Sequence, residues 1–193
     1  MKGIAKQVLL DEAVAVANLV NLIDQDFVDA CNVIKDCKGR VIVTGIGKSG
    51  HIGSKLAATL SSTGSPAFFV HAAEAGHGDA GMITEGDVVI AISNSGKAIE
   101  IQNMFPILDH LNVPLIALTS KSTSPLAKRA DFHFDLGVHK EACHLGLAPT
   151  ASTSAAMAFG DAMAVAVSDA KGFTRDDFGR SHPAGALGEI VNG

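Results

Sequence analysis

The stretch RVIVTGIGKSGHIG, residues 40–53, runs four β-prone residues into a glycine-rich turn that carries Lys48, Ser49 and His51. Two nucleotide-binding readings compete for that turn. Gly45, Gly47 and Gly50 fit the G-x-G-x-x-G dinucleotide spacing, while Gly47, Lys48 and Ser49 match the end of a P-loop. A P-loop needs a further glycine five positions before its Gly-Lys pair, and Ile42 stands there, inside the strand. The P-loop reading fails on that residue. A dinucleotide site needs an acidic residue at the end of the second strand to hold the ribose hydroxyls, and after Phe68, Phe69 and Val70 the chain offers His71 instead.

Outward from this turn, short apolar runs without alternation recur at 41–44, 67–70, 88–92, 114–118 and 132–136. Runs of this kind suit strands covered on both faces. Helix-length segments at about 50–63, 97–111 and 124–130 separate them and are long enough for right-handed crossovers, which predicts a parallel sheet of five strands in an α/β three-layer sandwich. Before the sheet, apolar residues recur every three or four positions from Leu9 to Ile34, so residues 4–37 read as helix, with Asp24 capping a break and Lys38-Gly39 supplying a stop. After it, Pro149-Thr150 opens an Ala/Met-rich helical run to Ala170, followed by a short tail to Gly193. No linker interrupts the pattern. The expected organisation is one domain over 1–193, divided into N-terminal helices (1–38), a parallel core (39–170) and a tail contributing to the site (171–193).

The chain has 193 residues, 47% of them hydrophobic, 20 glycines and a net charge of -5 without a basic run, which leaves no electrostatic footprint for nucleic acid or an anionic membrane surface. No apolar stretch reaches the roughly 20 residues of a membrane helix. Cys31, Cys37 and Cys143 form an odd set without metal-ligand spacing, and no charged-then-apolar leader opens the sequence, so a cytoplasmic protein with reduced thiols is expected.

The third strand repeats the design of the first: IAISNSGKAIE, residues 90–100, places Ser93, Asn94, Ser95 and Gly96 before a helix, and LTSKSTS, residues 118–124, adds more hydroxyls after the fourth strand. Backbone N–H groups at helix starts favour anions, and serine hydroxyls add donors without bulk. A phosphate held at the carboxyl edge by Ser49 and the Ser93–Gly96 turn is the reading these residues support, against the plainer one that Ser and Gly simply make good turns.

GIGKSGH (45–51), STGSPAFFVHAAEAGHGDAGM (62–82), ISNSGKAIE (92–100), KEACHLGLAPT (140–150) and FGRSHPAGALG (178–188) resemble, in order, the motifs of the arabinose-5-phosphate isomerases, members of the sugar-isomerase (SIS) family of phosphosugar-binding proteins. The resemblance implies a flavodoxin-like SIS fold and interconversion of D-ribulose 5-phosphate and D-arabinose 5-phosphate, serving Kdo, lipopolysaccharide or capsule synthesis. It implies catalytic importance for Lys48, Glu100, Glu141 and His182, and substrate contacts at Ser49, Gly64, Ser65, His71, His77 and the Ser93–Gly96 turn. His71 is also the contact it suggests for a non-essential, inhibitory divalent metal such as zinc, with no cofactor required. Ala184 and Ala80 depart from the family pattern. Members often carry a C-terminal pair of CBS domains, which this sequence lacks, leaving a single-domain member and a shortened one as alternatives. A phosphoheptose or other sugar-phosphate isomerase would be a variant with different loops, and a phosphosugar sensor without catalysis would need the serine turns but not Glu141 or His182. The long apolar helix and the Ala-rich run exceed what one sheet can cover, so a homo-oligomer, a tetramer in the first instance, is expected.

Overall fold

The computed structural model describes residues 1–182 and Gly188. Five parallel strands, β1 (Val41–Gly45), β2 (Ala67–His71), β3 (Val88–Ile92), β4 (Leu115–Thr119) and β5 (Phe132–Asp135), form one sheet in the order β2-β1-β3-β4-β5. Each strand falls where an apolar run predicts it. The reason for unbroken apolarity is visible in the packing, since alternate residues of a strand serve opposite cores. Val41, Val43, Ile90 and Leu118 face one cluster, and Ile42, Val89, Ala91 and Ala117 face the other.

The first core is closed by α2 (Gln25–Asp36), α3 (Lys48–Ser62) and α8 (Ala151–Ala170). Phe27, Phe134 and Phe159 meet at its centre, with ring centroids 4.9 to 6.3 Å apart. The second core is closed by α4 (Ala72–Ala75), α5 (Ile99–Gln102), α6 (Phe105–Leu111) and α7 (Pro125–Arg129). This is the expected three-layer sandwich.

The glycine spacing of the opening stretch has a packing cause. A Cβ on Gly45 would lie 3.0 Å from the Ser49 backbone, and one on Gly50 would lie 3.2 Å from the Gly45 carbonyl and 3.4 Å from the Phe69 ring. The glycines let α3 start hard against the end of β1, so the G-x-G-x-x-G spacing needs no dinucleotide to explain it.

Three expectations require correction. The N-terminal stripe does not act as one unit: α1 (Lys2–Asn18) buries no residue, and Leu9, Leu10 and Val14 are exposed, whereas α2 beyond Asp24 buries Phe27, Ala30, Cys31 and Ile34. Asp24 does cap the break, its carboxylate accepting from the Phe27 N–H at 3.2 Å. The segment 97–111 is two helices, because Pro106 lacks an N–H and is accommodated in the first turn of α6 rather than inside a continuous helix. The tail holds a further helix, α9 (Arg175–Ser181), whose Thr174 and Asp177 form a reciprocal capping box. The motif residues Pro183 and Ala184 lie outside the described residues. Among the described residues no helix is long and apolar enough to cross a membrane.

Candidate active site

In this strand order the chain leaves β1 toward one side and β3 toward the other, so a crevice opens between their carboxyl ends, where open α/β sheets bind ligands. The Gly47–Ser49 turn and the Ser93–Gly96 turn flank it. Ser93 is buried and its Oγ accepts from the Gly96 N–H at 3.2 Å, while the Ser95 Oγ accepts from the Lys97 N–H at 3.3 Å. Both hydroxyls therefore shape the turn as acceptors and retain their hydrogens for an external acceptor. Gly96 has φ 62°, and a Cβ there would collide with the hydroxyl of Ser124. Only glycine fits that position.

The third hydroxyl-rich segment has a different role. Thr119, Ser120 and Ser124 are buried. Ser124 caps α7 through the Ala127 N–H at 3.2 Å, Ser120 accepts from the Val138 N–H at 3.3 Å, and Thr119 accepts from the Lys121 N–H at 3.0 Å and pairs with His133 Nε2 at 2.7 Å. These side chains are scaffold for the neighbouring turn, in line with the plainer sequence reading.

After β5 the chain loops back over the crevice. Together with the two turns and the start of α8 it encloses a cleft of about 260 Å³ lined by Ser49, Asn94, His139, Lys140, Glu141 and Ser152, among others. Glu141 is fixed by the first turn of α8. Its Oε2 accepts from the Thr150 N–H at 2.8 Å, the Ser152 N–H at 3.2 Å and the Thr150 hydroxyl at 3.3 Å, and its Oε1 accepts a short bond from the Ser152 hydroxyl. Partial burial works to raise the carboxyl pKa, but the bonds from Ser152 and Thr150 outweigh it, and the group sits below its ordinary range. Glu141 is thus ionised and oriented, and among the described residues Oε1 has one partner where Oε2 has three.

Of the other residues singled out by sequence, Lys48 is exposed at the first position of α3, and Glu100 is half-buried in the first turn of α5, on the opposite helical layer from α8; neither lines the cleft. His71 ends β2, level with Gly45, and its Nδ1 accepts from the Ala73 N–H at 3.3 Å, leaving Nε2 for any ligand. His77 is exposed in the loop that follows. Among the described residues no three His, Cys, Asp or Glu side chains are grouped to hold a metal.

Gly64 and Ser65 do not join the site. They precede β2, beside the start of β1, where the Val41 N–H bonds the Pro66 carbonyl at 2.9 Å. That is the amino edge of the sheet, and the Ser65 hydroxyl is buried against Lys171. His182 also stands apart from the cleft of its own chain. From Ser152 in the cleft, the 20 residues of α8 descend about 30 Å to Lys171 at the amino edge, and the seven residues of α9 recover about 10 Å at most. The His182 ring stacks on Phe178 at 3.8 Å with Nδ1 donating to the Phe178 carbonyl at 2.9 Å, and among the described residues Nε2 has no hydrogen-bond partner.

Sequence reasoning missed Thr150, Ser152, His139 and Lys140. T-x-S before an alanine-rich run is a recognisable helix start, but its partner is a glutamate on a separate loop, and no periodicity links the two.

A five-stranded parallel sandwich whose switch-point crevice is flanked by two turns rich in N–H and hydroxyl donors defines a ligand-binding α/β class of protein with a crevice suited to an anion. The profile of the SIS domain family matches residues 34–166, and the chain belongs to that family. It is 56% identical over 183 residues to the arabinose 5-phosphate isomerase KdsD of Escherichia coli (strain K12), covering 95% of this chain and 56% of the relative. It is 55% identical over 174 residues to the Pseudomonas aeruginosa arabinose 5-phosphate isomerase KdsD, covering 90% and 53%. The chain therefore spans about half the length of these curated relatives. Among solved structures, the Escherichia coli CFT073 protein c3406 in complex with A5P superposes with a TM-score of 0.88 at 44% identity, over 93% of this chain and 95% of that one.

Proposed function

We propose that the protein is an aldose-ketose isomerase interconverting D-ribulose 5-phosphate and D-arabinose 5-phosphate. The observation that carries this reading is the cleft in which an oriented, ionised Glu141 lies across from the Ser49 and Asn94 turns. Its relatives of known name and the complex of c3406 with A5P support the same substrate.

The phosphate sits at the two turns, where backbone N–H groups and the Ser93 and Ser95 hydroxyls receive it; it does not react, and its binding fixes the reacting carbons. Glu141 takes the proton from C2 of the aldose. The electron pair passes into a C1–C2 enediolate, O1 gains a proton as O2 loses one, and the carboxyl returns its proton to C1, leaving the carbonyl at C2. Lys48 stabilises the developing negative charge, Glu100 positions charge at the adjoining turn, and His77 contacts the sugar. Nothing is oxidised overall, so the reaction requires no cofactor, and activity is expected to persist in EDTA; loss that zinc or magnesium restores would overturn that part. His71 is where an inhibitory metal would bind.

His182 manages protons at the sugar oxygens of a neighbouring subunit's cleft, which makes the protein a homo-oligomer, in our reading a tetramer. The exposed face of α1 and the apolar groove between Val16, Val20, Ile23 and Phe159 supply contact surface. We place the protein in the cytoplasm, as the enzyme that supplies arabinose 5-phosphate for Kdo.

The deciding experiment is incubation with ribulose 5-phosphate in deuterated water. Arabinose 5-phosphate labelled at C2 is the expected product. Tight binding of the sugar phosphate without turnover or exchange would instead make the chain a phosphosugar sensor.

A further inference from the structure

The two oxygens of Glu141 are held unequally. Oε2 is saturated by three donors of the α8 first turn, and those donors belong to the backbone and to Thr150, whose hydroxyl is itself fixed by the Ala142 N–H at 3.0 Å. Among the described residues, Oε1 is held only by the hydroxyl of Ser152, a residue 6% exposed that lines the cleft beside it. A carboxylate oxygen has two lone pairs, which the three donors on Oε2 more than fill, while Oε1 has one lone pair engaged by Ser152 and one open. We propose that Ser152 is a positioning residue for the isomerisation: its hydroxyl fixes Oε1 of Glu141 toward the substrate and shares the charge of that oxygen before and after it carries the proton.

The inference rests on the reading of Glu141 as the proton carrier. With Ser152 donating, the ionised carboxylate is favoured at the start of the cycle, and as the open lone pair of Oε1 takes up the proton the serine hydroxyl keeps its bond to the other lone pair without moving its backbone, which is pinned by its own N–H on Oε2. The charged and titratable groups around Glu141 come from its own loop, namely His139, Lys140, Cys143 and His144, and from Asp11 on α1, with Lys48 beside Ser49 and Glu12 on Ser154 further out; the cleft-lining residues of the β1 turn, the β3 turn and α8 (Ser49, Asn94, Ser152) are neutral. Removing the Ser152 hydroxyl therefore changes the Glu141 proton affinity through one bond and leaves the neighbouring charges in place.

The test compares Ser152→Ala, Ser152→Thr and Glu141→Gln. Ser152→Ala should lower kcat about tenfold with little change in KM, the loss expected for one hydrogen bond to a charged group. The acid limb of its kcat/KM profile should move to higher pH, because the ionised base has lost a donor. Ser152→Thr, which keeps the hydroxyl, should restore both. Independently of turnover, 13C titration of glutamate carboxyls, with the Glu141 signal assigned by its absence in Glu141→Gln, should show that signal titrating at higher pH in Ser152→Ala. If Glu141→Gln is inactive but Ser152→Ala keeps the native profile and the native Glu141 titration, Ser152 has no such role while the reading of Glu141 stands. If Glu141→Gln turns over normally, both fall together.

Discussion

The ammonium of Lys171 donates to the Ser65 hydroxyl at 2.8 Å and to the Gly64 carbonyl at 3.2 Å, tying the end of α8 to the amino edge of the sheet. Burial lowers the Lys171 pKa, and Ser65 is 2% exposed. The bond is therefore part of the packing between α8 and the loop before β2. Ser65→Ala should cost about 1 kcal/mol of stability, measured by urea denaturation, and leave KM for ribulose 5-phosphate unchanged. A raised KM at native stability would return Ser65 to the substrate.

The serine turn should behave in the opposite way, with an asymmetry set by burial. Ser93→Ala and Ser95→Ala each remove a charge-assisted donor to phosphate, worth roughly 1.5 to 3 kcal/mol, so KM should rise about 10-fold or more in each. Only Ser93 is buried, with its Oγ on the Gly96 N–H, so only that variant should also lose stability. Unchanged KM in both would place the phosphate elsewhere.

What the sequence disclosed, and what it hid, divides along local and non-local lines. Strand positions were legible because the central strands β1, β3 and β4 are buried on both faces and read as nearly unbroken apolar runs, and the half-buried edge strands β2 and β5 still carry enough apolar residues to stand out. The Asp24 cap was legible because a cap signal lies within one turn of its helix, and the start of α8 because Pro149 precedes a long Ala/Met-rich run. The fate of α1 was not, since an apolar stripe looks the same whether its partner lies within the chain or outside it. Ser65 shows the same limit: a serine beside a glycine reads as a binding turn from either edge of a sheet, and only the strand order assigns it to the amino edge. Glu141 stood out through resemblance alone, because what orients it is a helix start on another segment.

His133 offers a pH test of the scaffold behind the turns. Burial lowers its pKa below 6.5, partly offset by Asp135, and its Nε2 faces the buried Thr119 hydroxyl at 2.7 Å. A histidine kept neutral in the folded state is bound by more protons when unfolded, so stability should fall as pH drops below about 6.5 and level off beneath the folded pKa. His133→Gln, which cannot ionise, should flatten that slope in thermal melts taken between pH 7 and pH 5. A slope equal to that of the native chain would remove His133 as its source.

Glu141→Gln should retain the fold. The amide oxygen can replace Oε2 on the Thr150 and Ser152 N–H groups, and the amide nitrogen can donate to the Ser152 hydroxyl in place of Oε1. Because the carboxyl pKa is lowered in the folded state, its ionisation adds stability above the unfolded value that is lost as pH falls through the folded one, so the variant should lose stability at neutral pH and lose less on acidification. Its kcat should fall by about 10² or more, as for removal of a general base. Near-normal turnover together with an inactive Glu100→Gln would transfer the proton to Glu100.

The separation of Glu141 and His182 by the length of α8 makes the last expectation the most discriminating. If each site draws its glutamate from one subunit and its histidine from the next, Glu141→Gln and His182→Ala are both inactive alone, yet hybrid assemblies of the two contain some sites in which both residues are native. Mixing the inactive variants under conditions of subunit exchange should therefore restore part of the activity. The same assembly should be weakened by Leu10→Asp and Val14→Asp on the exposed face of α1, with sedimentation shifting toward the monomer. The monomer should then lose turnover although neither substitution touches the cleft. A native chain that sediments as a monomer at micromolar concentration and is fully active, or mixed variants that stay inactive despite exchange, would confine the working site to one subunit and leave His182 outside it.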